Sequence, residues 1–224
     1  MSTVKGIPLV DFAGFEQSAG PRRAATVAAL GSALEAHGFV AVTGHGVDPS
    51  LVDEAYDVAA EVFALPAEAK QACESPETAR QRGYTPYYLE KAKDRAAPDL
   101  KEFWHVGQDL PADHPYAVSG QMGPNRFPAE VPRFATVMRG LFAAQQRFAN
   151  RLLEAISEHL GAPAGLFASM VKDGNHVLRV IHYPDVGEVP VGAVRAAAHE
   201  DINLLTVLPA ATRPGLELLD KSGE

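Results

Sequence analysis

The chain has 224 residues, of which 46% are hydrophobic and 21% are charged, and its formal net charge is -8. This length and composition allow a buried core in one domain, or in one domain with a small cap. The acidic balance excludes the basic surface on which nucleic-acid binders depend, so we expect no nucleic-acid partner. Cys73 is the single cysteine, so no internal disulfide can form, which fits a reducing cytoplasm.

The N-terminus lacks the apolar core of a signal peptide, because Gly6, Pro8, Asp11 and Gly14 interrupt its short apolar pieces. No apolar run in the sequence approaches the roughly 18 residues that a membrane helix needs. We therefore predict a cytoplasmic protein with no membrane partner.

The N-terminal part of the chain alternates short β-favouring runs with helical patterns. Pro21 suits a first helical turn and Gly38 a helix end, while Asp48 followed by Pro49 is typical of a second helix start. The predicted elements are a strand over 7–10, a helix over 21–38, a strand over 39–42, and helices over 49–63 and 65–72.

The pattern then becomes irregular over 81–125, which predicts surface loops with one short strand near 103–106. The longest periodic stretch runs from Arg133 to Leu160 and predicts a scaffold helix. The remaining predicted elements are a short helix over 166–171 and strands over 177–183, 196–199, 204–208 and 216–219. Helices first and strands later indicate an α+β protein.

The candidate chemistry lies in the run His199, Glu200, Asp201. Side chains two residues apart in an extended segment project to the same face, so His199 and Asp201 can approach one ion while Glu200 points away. One imidazole and one carboxylate suit Fe(II), and a second histidine would complete the facial triad that leaves three positions open. His-x-Asp is common by chance, and the alternative is a surface histidine beside acidic residues in a turn.

Several further blocks lie along the chain. They are IPLVDF at 7–12, GFVAVTGHGV at 38–47, FALPAEAK at 63–70, DLKEFWHVG at 99–107, NRFPAEVPRF at 125–134, LRVIHYPD at 178–185 and HEDINLLTVL at 199–208. In this order they resemble the isopenicillin N synthase-like, 2-oxoglutarate/Fe(II)-dependent dioxygenase family. Several motifs in the right order are more specific than any one of them.

The resemblance implies a distorted double-stranded β-helix, a jelly-roll, with the N-terminal helices packed outside it. It divides the chain into an N-terminal region over 1–120 and, over 121–224, the scaffold helix and the first half of the jelly-roll. Fe(II) would be held by His199, Asp201 and a second histidine on a later strand, with 2-oxoglutarate and O2 as co-substrates. Such an enzyme converts 2-oxoglutarate to succinate while it oxidises a small organic substrate, and no catalytic side chain beyond the metal ligands is implied.

The strand that contains LRVIHYPD places Val177, Arg179, Ile181 and Tyr183 on one face, which is the expected cavity face. The family's tyrosine here binds the distal carboxylate of 2-oxoglutarate, so the resemblance assigns Tyr183 to the co-substrate. The alternative is a surface hydroxyl at the strand end. Ile181 departs from the asparagine of plant relatives, so the co-substrate pocket should differ in detail.

The expected substrate contacts are Arg179, Ile181 and Tyr84. Arg179 could pair with an anionic substrate, or with Asp or Glu at the cavity rim. Tyr84 belongs to a cluster of tyrosines where relatives shape substrate entry, although clustered tyrosines are as often simple packing. His182 alternates away from Tyr183 and should face outward.

The family's second iron histidine, and the arginine and serine that clamp 2-oxoglutarate, lie downstream of the block that resembles PGLELLDKSGE at 214–224. We therefore expect a fragment that lacks the closing strands of the jelly-roll and is, by itself, inactive and poorly stable. A homodimer in which a second chain supplies those strands is the alternative.

Other functions fit the same residues. A same-fold oxidase, such as isopenicillin N synthase or aminocyclopropane carboxylate oxidase, would use iron and O2 without 2-oxoglutarate. An ethylene-forming relative would consume 2-oxoglutarate itself. A non-catalytic fragment acting as a binding module would bind no metal. The sequence does not choose the small-molecule substrate.

Overall fold

The computed structural model describes residues 3–4, 6–15, 19–90, 99–185, 193–199, 201–213 and 215–218. These residues form two compact units. The first takes the described parts of Met1–Asp48, Ala144–Gly174 and Leu204–Glu224, and the second those of Pro49–Ala143 and Asn175–Asn203. Each unit combines helices with a three-stranded sheet, so the predicted α+β class is confirmed. The division into 1–120 and 121–224 stays a prediction.

The first unit is built on a sheet of β1 (Thr3–Val4), β2 (Ile7–Asp11) and β3 (Ala41–Thr43). β1 pairs antiparallel with β2, and β2 pairs parallel with β3. α1 (Pro21–His37) lies between β2 and β3 in the chain and begins at a proline, as its sequence predicts.

The core of the first unit is aromatic. Phe12 stacks on Phe15 with ring centroids 5.0 Å apart, and Phe148 of α5 (Pro132–His159) meets the edge of Phe12 at 5.7 Å. The Arg23 guanidinium lies 3.7 Å from the centroid of the Phe15 ring and pairs with Glu154 at 3.1 Å. α6 (Leu166–Val171) follows α5 where the sequence predicts it.

The second unit carries a sheet of β4 (Gly83–Thr85), β5 (Glu102–Gly107) and β6 (Val177–His182), in that order and antiparallel throughout. This unit also contains the first part of α5 and the helices α2 (Pro49–Phe63), α3 (Ala67–Gln71) and α4 (Pro115–Val118). β4 and α4 fall where the sequence predicts mainly loops. In the described part of the chain, no helix is long and apolar enough to cross a membrane.

One face of the second sheet is covered by helices. It carries Trp104 of β5 and, on β6, His182. Trp104 meets Phe134 of α5 edge-on at 5.3 Å, and the His182 ring stacks on Phe63 of α2 at 5.0 Å. His182 thus alternates away from the cavity face as predicted, and its side chain, 40% exposed, lies partly against α2.

The opposite face, which we call the site face, carries Phe103 and His105 of β5 and Arg179 and Ile181 of β6. Burial alternates along β6, with Arg179 and Ile181 at its more exposed positions. The alternation predicted for this strand is confirmed, and it leaves the site face accessible from solvent at β6.

The strands predicted over 196–199, 204–208 and 216–219 are wrong for the described residues of those runs, which have no regular secondary structure. A strand forms only where a neighbouring strand pairs with its backbone N–H and C=O groups. Neither three-stranded sheet extends to these residues. Ile202, Leu204 and Leu208 are accordingly exposed, and the described residues form no jelly-roll.

Candidate functional site

His199 and Asp201, the candidate metal ligands, lie in a segment of the second unit without regular secondary structure. His199 Nε2 lies 3.7 Å from Asp201 Oδ1, and 57% and 49% of the two side-chain surfaces are exposed. The structure thus brings an imidazole nitrogen and a carboxylate oxygen to one place that an ion can reach from solvent.

The tautomer of His199 follows from its contact with Ala197. His199 Nδ1 lies 2.7 Å from the Ala197 carbonyl oxygen. A carbonyl oxygen only accepts hydrogen bonds, so Nδ1 carries a proton, and in the neutral ring Nε2 then presents its lone pair toward Asp201. Metal-binding imidazoles have this arrangement, in which the other ring nitrogen is held by a carbonyl or carboxylate.

These residues fit part of an Fe(II) site. Imidazole and carboxylate are two of the three ligands of the facial triad of non-haem iron oxygenases. Among the residues that the structure describes, no group of three or more His, Cys, Asp or Glu side chains could hold a metal ion. His199 and Asp201 would therefore supply two ligands, and the predicted second histidine has no counterpart in the described residues.

The segment before His199 is attached to the residues that lead into β5. The Leu100 amide donates to the Val194 carbonyl oxygen at 2.9 Å. The Ala197 amide donates to Asp99 Oδ1 at 3.4 Å, and the Asp99 side chain is almost completely buried, since the residue is 4% exposed. Two hydrogen bonds thus connect the histidine-bearing segment to the sheet of the second unit.

Asp99 belongs to a charge cluster with Glu90, Lys101 and Arg179. Lys101 Nζ donates to Glu90 at 2.6 Å and to Asp99 at 2.9 Å, and the Arg179 guanidinium pairs with Glu90 at 3.3 Å. Burial acts to lower the pKa of Lys101, but its hydrogen bonds to Glu90 and Asp99 outweigh burial and raise the pKa. Lys101 therefore stays charged although it is buried.

Arg179 is held on the site face by His105. Arg179 Nε donates to His105 Nε2 at 2.8 Å, and His105 Nδ1 donates to the Arg80 carbonyl oxygen at 2.7 Å. The guanidinium also lies 4.4 Å from the centroid of the Phe103 ring. Of the two predicted roles of Arg179, the ion pair is present, here with Glu90, and contact with an anionic substrate stays a prediction.

Replacing His105 by glutamine should remove part of the pH dependence of folding stability. Burial lowers the pKa of His105 from 6.5 to about 4. Between these values the unfolded state binds more protons, so the stability from neutral His105 is complete above about pH 6.5 and declines by about 3 kcal/mol as the pH falls through 4. Glutamine can still accept from Arg179 but does not titrate.

Urea denaturation of the wild type and of the His105→Gln variant between about pH 7 and about pH 4 measures this difference in the pH dependence of stability. The control is His37→Gln, at the exposed end of α1, which should keep the wild-type profile. A His105→Gln profile as steep as that of the wild type would contradict the prediction.

Tyr183 directly follows β6, is 37% exposed, and lies near the charge cluster. Burial raises its pKa, and among the four members of the cluster Lys101 and Arg179 oppose the shift while Asp99 and Glu90 add to it. The phenol is therefore protonated at neutral pH and can donate a hydrogen bond. Ile181, which is also partly exposed, lies two residues before it on the site face.

Tyr84 lies away from the site face, in β4 and not in a loop. Its hydroxyl donates to Glu102 at 2.5 Å, and Glu102, which is 2% exposed, also accepts from Lys70 Nζ at 2.8 Å and from His182 Nδ1 at 2.8 Å. We call these four residues the Glu102 network. This placement favours the packing alternative for Tyr84, and its contact with substrate stays a prediction.

Asp99, Lys101 and Glu102 were not identified from the sequence. The available signal is three charged residues at alternate or adjacent positions directly before the β-favouring run FWHV. Charges at the start of a buried strand need partners, because an unpaired buried charge is strongly destabilising. The pattern indicates that partners exist but does not identify them.

Comparisons with known proteins agree on one family. Residues 7–130, more than half of the chain, match the family model described as "non-haem dioxygenase in morphine synthesis N-terminal". A 2-oxoglutarate-Fe(II) type oxidoreductase of Emericella nidulans, hxnY, is 30% identical over 220 residues, which are 95% of this chain and 63% of that protein.

Solved structures agree with these matches. A Caulobacter crescentus protein assigned to the 2OG-Fe(II) oxygenase family is 34% identical with a TM-score of 0.72, over 82% of this chain and 58% of that one. A Neurospora crassa protein, solved at full length in complex with alpha-KG and thymine, is 27% identical with a TM-score of 0.66, over 80% of this chain and 55% of that one. The chain thus spans less than two thirds of the length of each of these relatives.

Proposed function

Because the chain belongs to the non-haem, 2-oxoglutarate/Fe(II)-dependent dioxygenase family, we propose that the protein couples the decarboxylation of 2-oxoglutarate to succinate with oxidation of a small organic substrate. The matched relatives are longer than this chain, and the proposal concerns the activity of the whole protein. A jelly-roll around the site, a homodimer and a cytoplasmic location stay predictions.

The observation that carries the proposal is the pair of His199 and Asp201. Fe(II) would be held by His199 Nε2, whose lone pair faces the Asp201 carboxylate, and by that carboxylate. Bound iron supplies the activation of O2 that decarboxylation and substrate oxidation both require. The chain's own side chains would hold the metal and orient the two organic molecules.

Tyr183 would donate a hydrogen bond to the distal carboxylate of 2-oxoglutarate. Its partial exposure and raised pKa support this role, because a protonated phenol does not repel the carboxylate. Arg179 and Ile181 would line the neighbouring substrate space on the site face. His105 and Glu90 already hold the Arg179 guanidinium, so the residue would contact substrate without losing further side-chain freedom.

Alanine in place of His199 or of Asp201 should prevent iron-dependent binding of 2-oxoglutarate. Each substitution removes one of two metal ligands, and 2-oxoglutarate chelates the metal. Anaerobic titration of the whole wild-type protein with Fe(II) and 2-oxoglutarate should give the weak visible charge-transfer band of the chelate, and admission of air should yield succinate. Neither variant should show the band.

The control for this titration is His37→Ala, which removes an exposed histidine of the first unit. It should retain the band. Absence of both the band and succinate in the whole wild-type protein would contradict the proposal, whereas iron-dependent O2 consumption without succinate would favour the oxidase alternative. An unchanged band in both site variants would show that other residues hold the metal.

A further inference from the structure

Ala197 is held from both sides. Its amide donates to Asp99 Oδ1 at 3.4 Å, and its carbonyl oxygen accepts from His199 Nδ1 at 2.7 Å. Ala197 is buried, whereas more than half of the His199 side-chain surface is exposed. The carbonyl oxygen that determines which nitrogen of the exposed His199 ring carries the proton therefore belongs to a buried residue, Ala197.

Asp99 is itself rigidly placed. Its second oxygen, Oδ2, accepts from Lys101 Nζ at 2.9 Å, and Lys101 also pairs with Glu90 at 2.6 Å. The amide of the next residue, Leu100, donates to the Val194 carbonyl oxygen at 2.9 Å. This is a second hydrogen bond between the same two segments. The two carboxylate oxygens of Asp99 thus have separate roles, since Oδ2 neutralises a buried cation and Oδ1 holds the histidine-bearing segment.

We propose that Asp99 is a positioning residue for His199, which fixes, through Ala197, the Nδ1–H tautomer that leaves Nε2 free to bind a metal. Its role in iron binding rests on the proposed function, but its effect on the tautomer does not. Without the hydrogen bond from Ala197, the 193–199 segment keeps one fewer attachment to the sheet. His199 then loses its fixed acceptor and populates both neutral tautomers.

Nitrogen-15 NMR of the His199 ring in the metal-free protein tests the tautomer directly, at about pH 8 where an ordinary histidine is neutral. The wild type should show a protonated Nδ1 and an unprotonated Nε2. Asp99→Leu combined with Lys101→Met removes the acceptor without leaving a buried lysine unpaired, and should move the two nitrogen shifts toward each other. Asp99→Asn keeps an oxygen acceptor and should retain the wild-type shifts.

A second route removes the same hydrogen bond from its donor side. Ala197→Pro lacks the amide proton but leaves the pair of Asp99 and Lys101 intact, so it should shift the His199 signals in the same direction. The control, Asp109→Leu, removes a carboxylate that pairs with Arg139 at 2.7 Å in the same unit, and should leave the signals unchanged. Wild-type nitrogen shifts in either folded test variant would overturn the inference.

Titration with Co(II) as a probe for Fe(II) measures the consequence for the metal. Affinity should fall about 10- to 100-fold in the Asp99→Leu/Lys101→Met and Ala197→Pro proteins and stay within about threefold of wild type in Asp99→Asn. If the wild type binds no Co(II) but the two test variants show altered nitrogen shifts, the positioning role stands and the metal site is refuted. Unaltered affinity in variants with altered shifts would overturn the role in metal binding.

Discussion

Leucine in place of Glu102 should lower the free energy of unfolding by about 3–5 kcal/mol. Glu102 accepts hydrogen bonds from Lys70, Tyr84 and His182, one from α3 and one from each neighbouring strand. Leucine leaves the Lys70 ammonium buried without its counter-charge and the Tyr84 hydroxyl without an acceptor. Urea denaturation at neutral pH measures the loss.

Two further variants separate the buried charge from other effects. Glu61→Leu removes the carboxylate of a half-exposed ion pair with Arg133 and should change stability little, because solvent screens such pairs. Glu102→Leu combined with Lys70→Met should recover much of the loss, because no unpaired charge is then buried. A Glu102→Leu protein as stable as Glu61→Leu would show that the Glu102 network does not hold α3 to the sheet.

Alanine at Gly83 should destabilise the second unit by about 2–5 kcal/mol, combining about 1–2 for the left-handed backbone with about 1–3 for overpacking. Gly83 has a φ of 72° at the start of β4. An added Cβ would lie 2.0 Å from the Cys73 carbonyl oxygen, and that oxygen accepts the Tyr84 amide. The clash is with backbone, which cannot turn aside as a flexible side chain can.

Gly120 provides the matched control. Its φ of 73° is nearly the same, and an added Cβ would have no atom within 4 Å. Gly120→Ala should therefore show only the backbone contribution, about 1–2 kcal/mol. Thermal or urea unfolding of the two variants isolates the effect of packing as their difference, and equal losses would contradict the close approach of Gly83 to Cys73.

The helices were predictable because their signals are local. Apolar spacing and terminal residues predicted α1, α2 and α5 close to their observed bounds, since a helix pairs its backbone groups within itself. β2, β5 and β6 were also predicted, from short β-favouring runs. The runs after residue 196 have the same appearance but form no strand among the described residues, because a strand depends on a neighbour that no local pattern supplies.

The sequence by itself determined the family, through motifs in a fixed order, and the nomination of His199 with Asp201, through their spacing of two. Only the tertiary structure decided what holds those side chains. Asp99 reaches Ala197 across 98 positions of the chain, and Arg179 reaches His105 across 74. Such contacts arise only when the sheet and the loops pack together, because neither composition nor periodicity specifies which residues distant in the chain become neighbours.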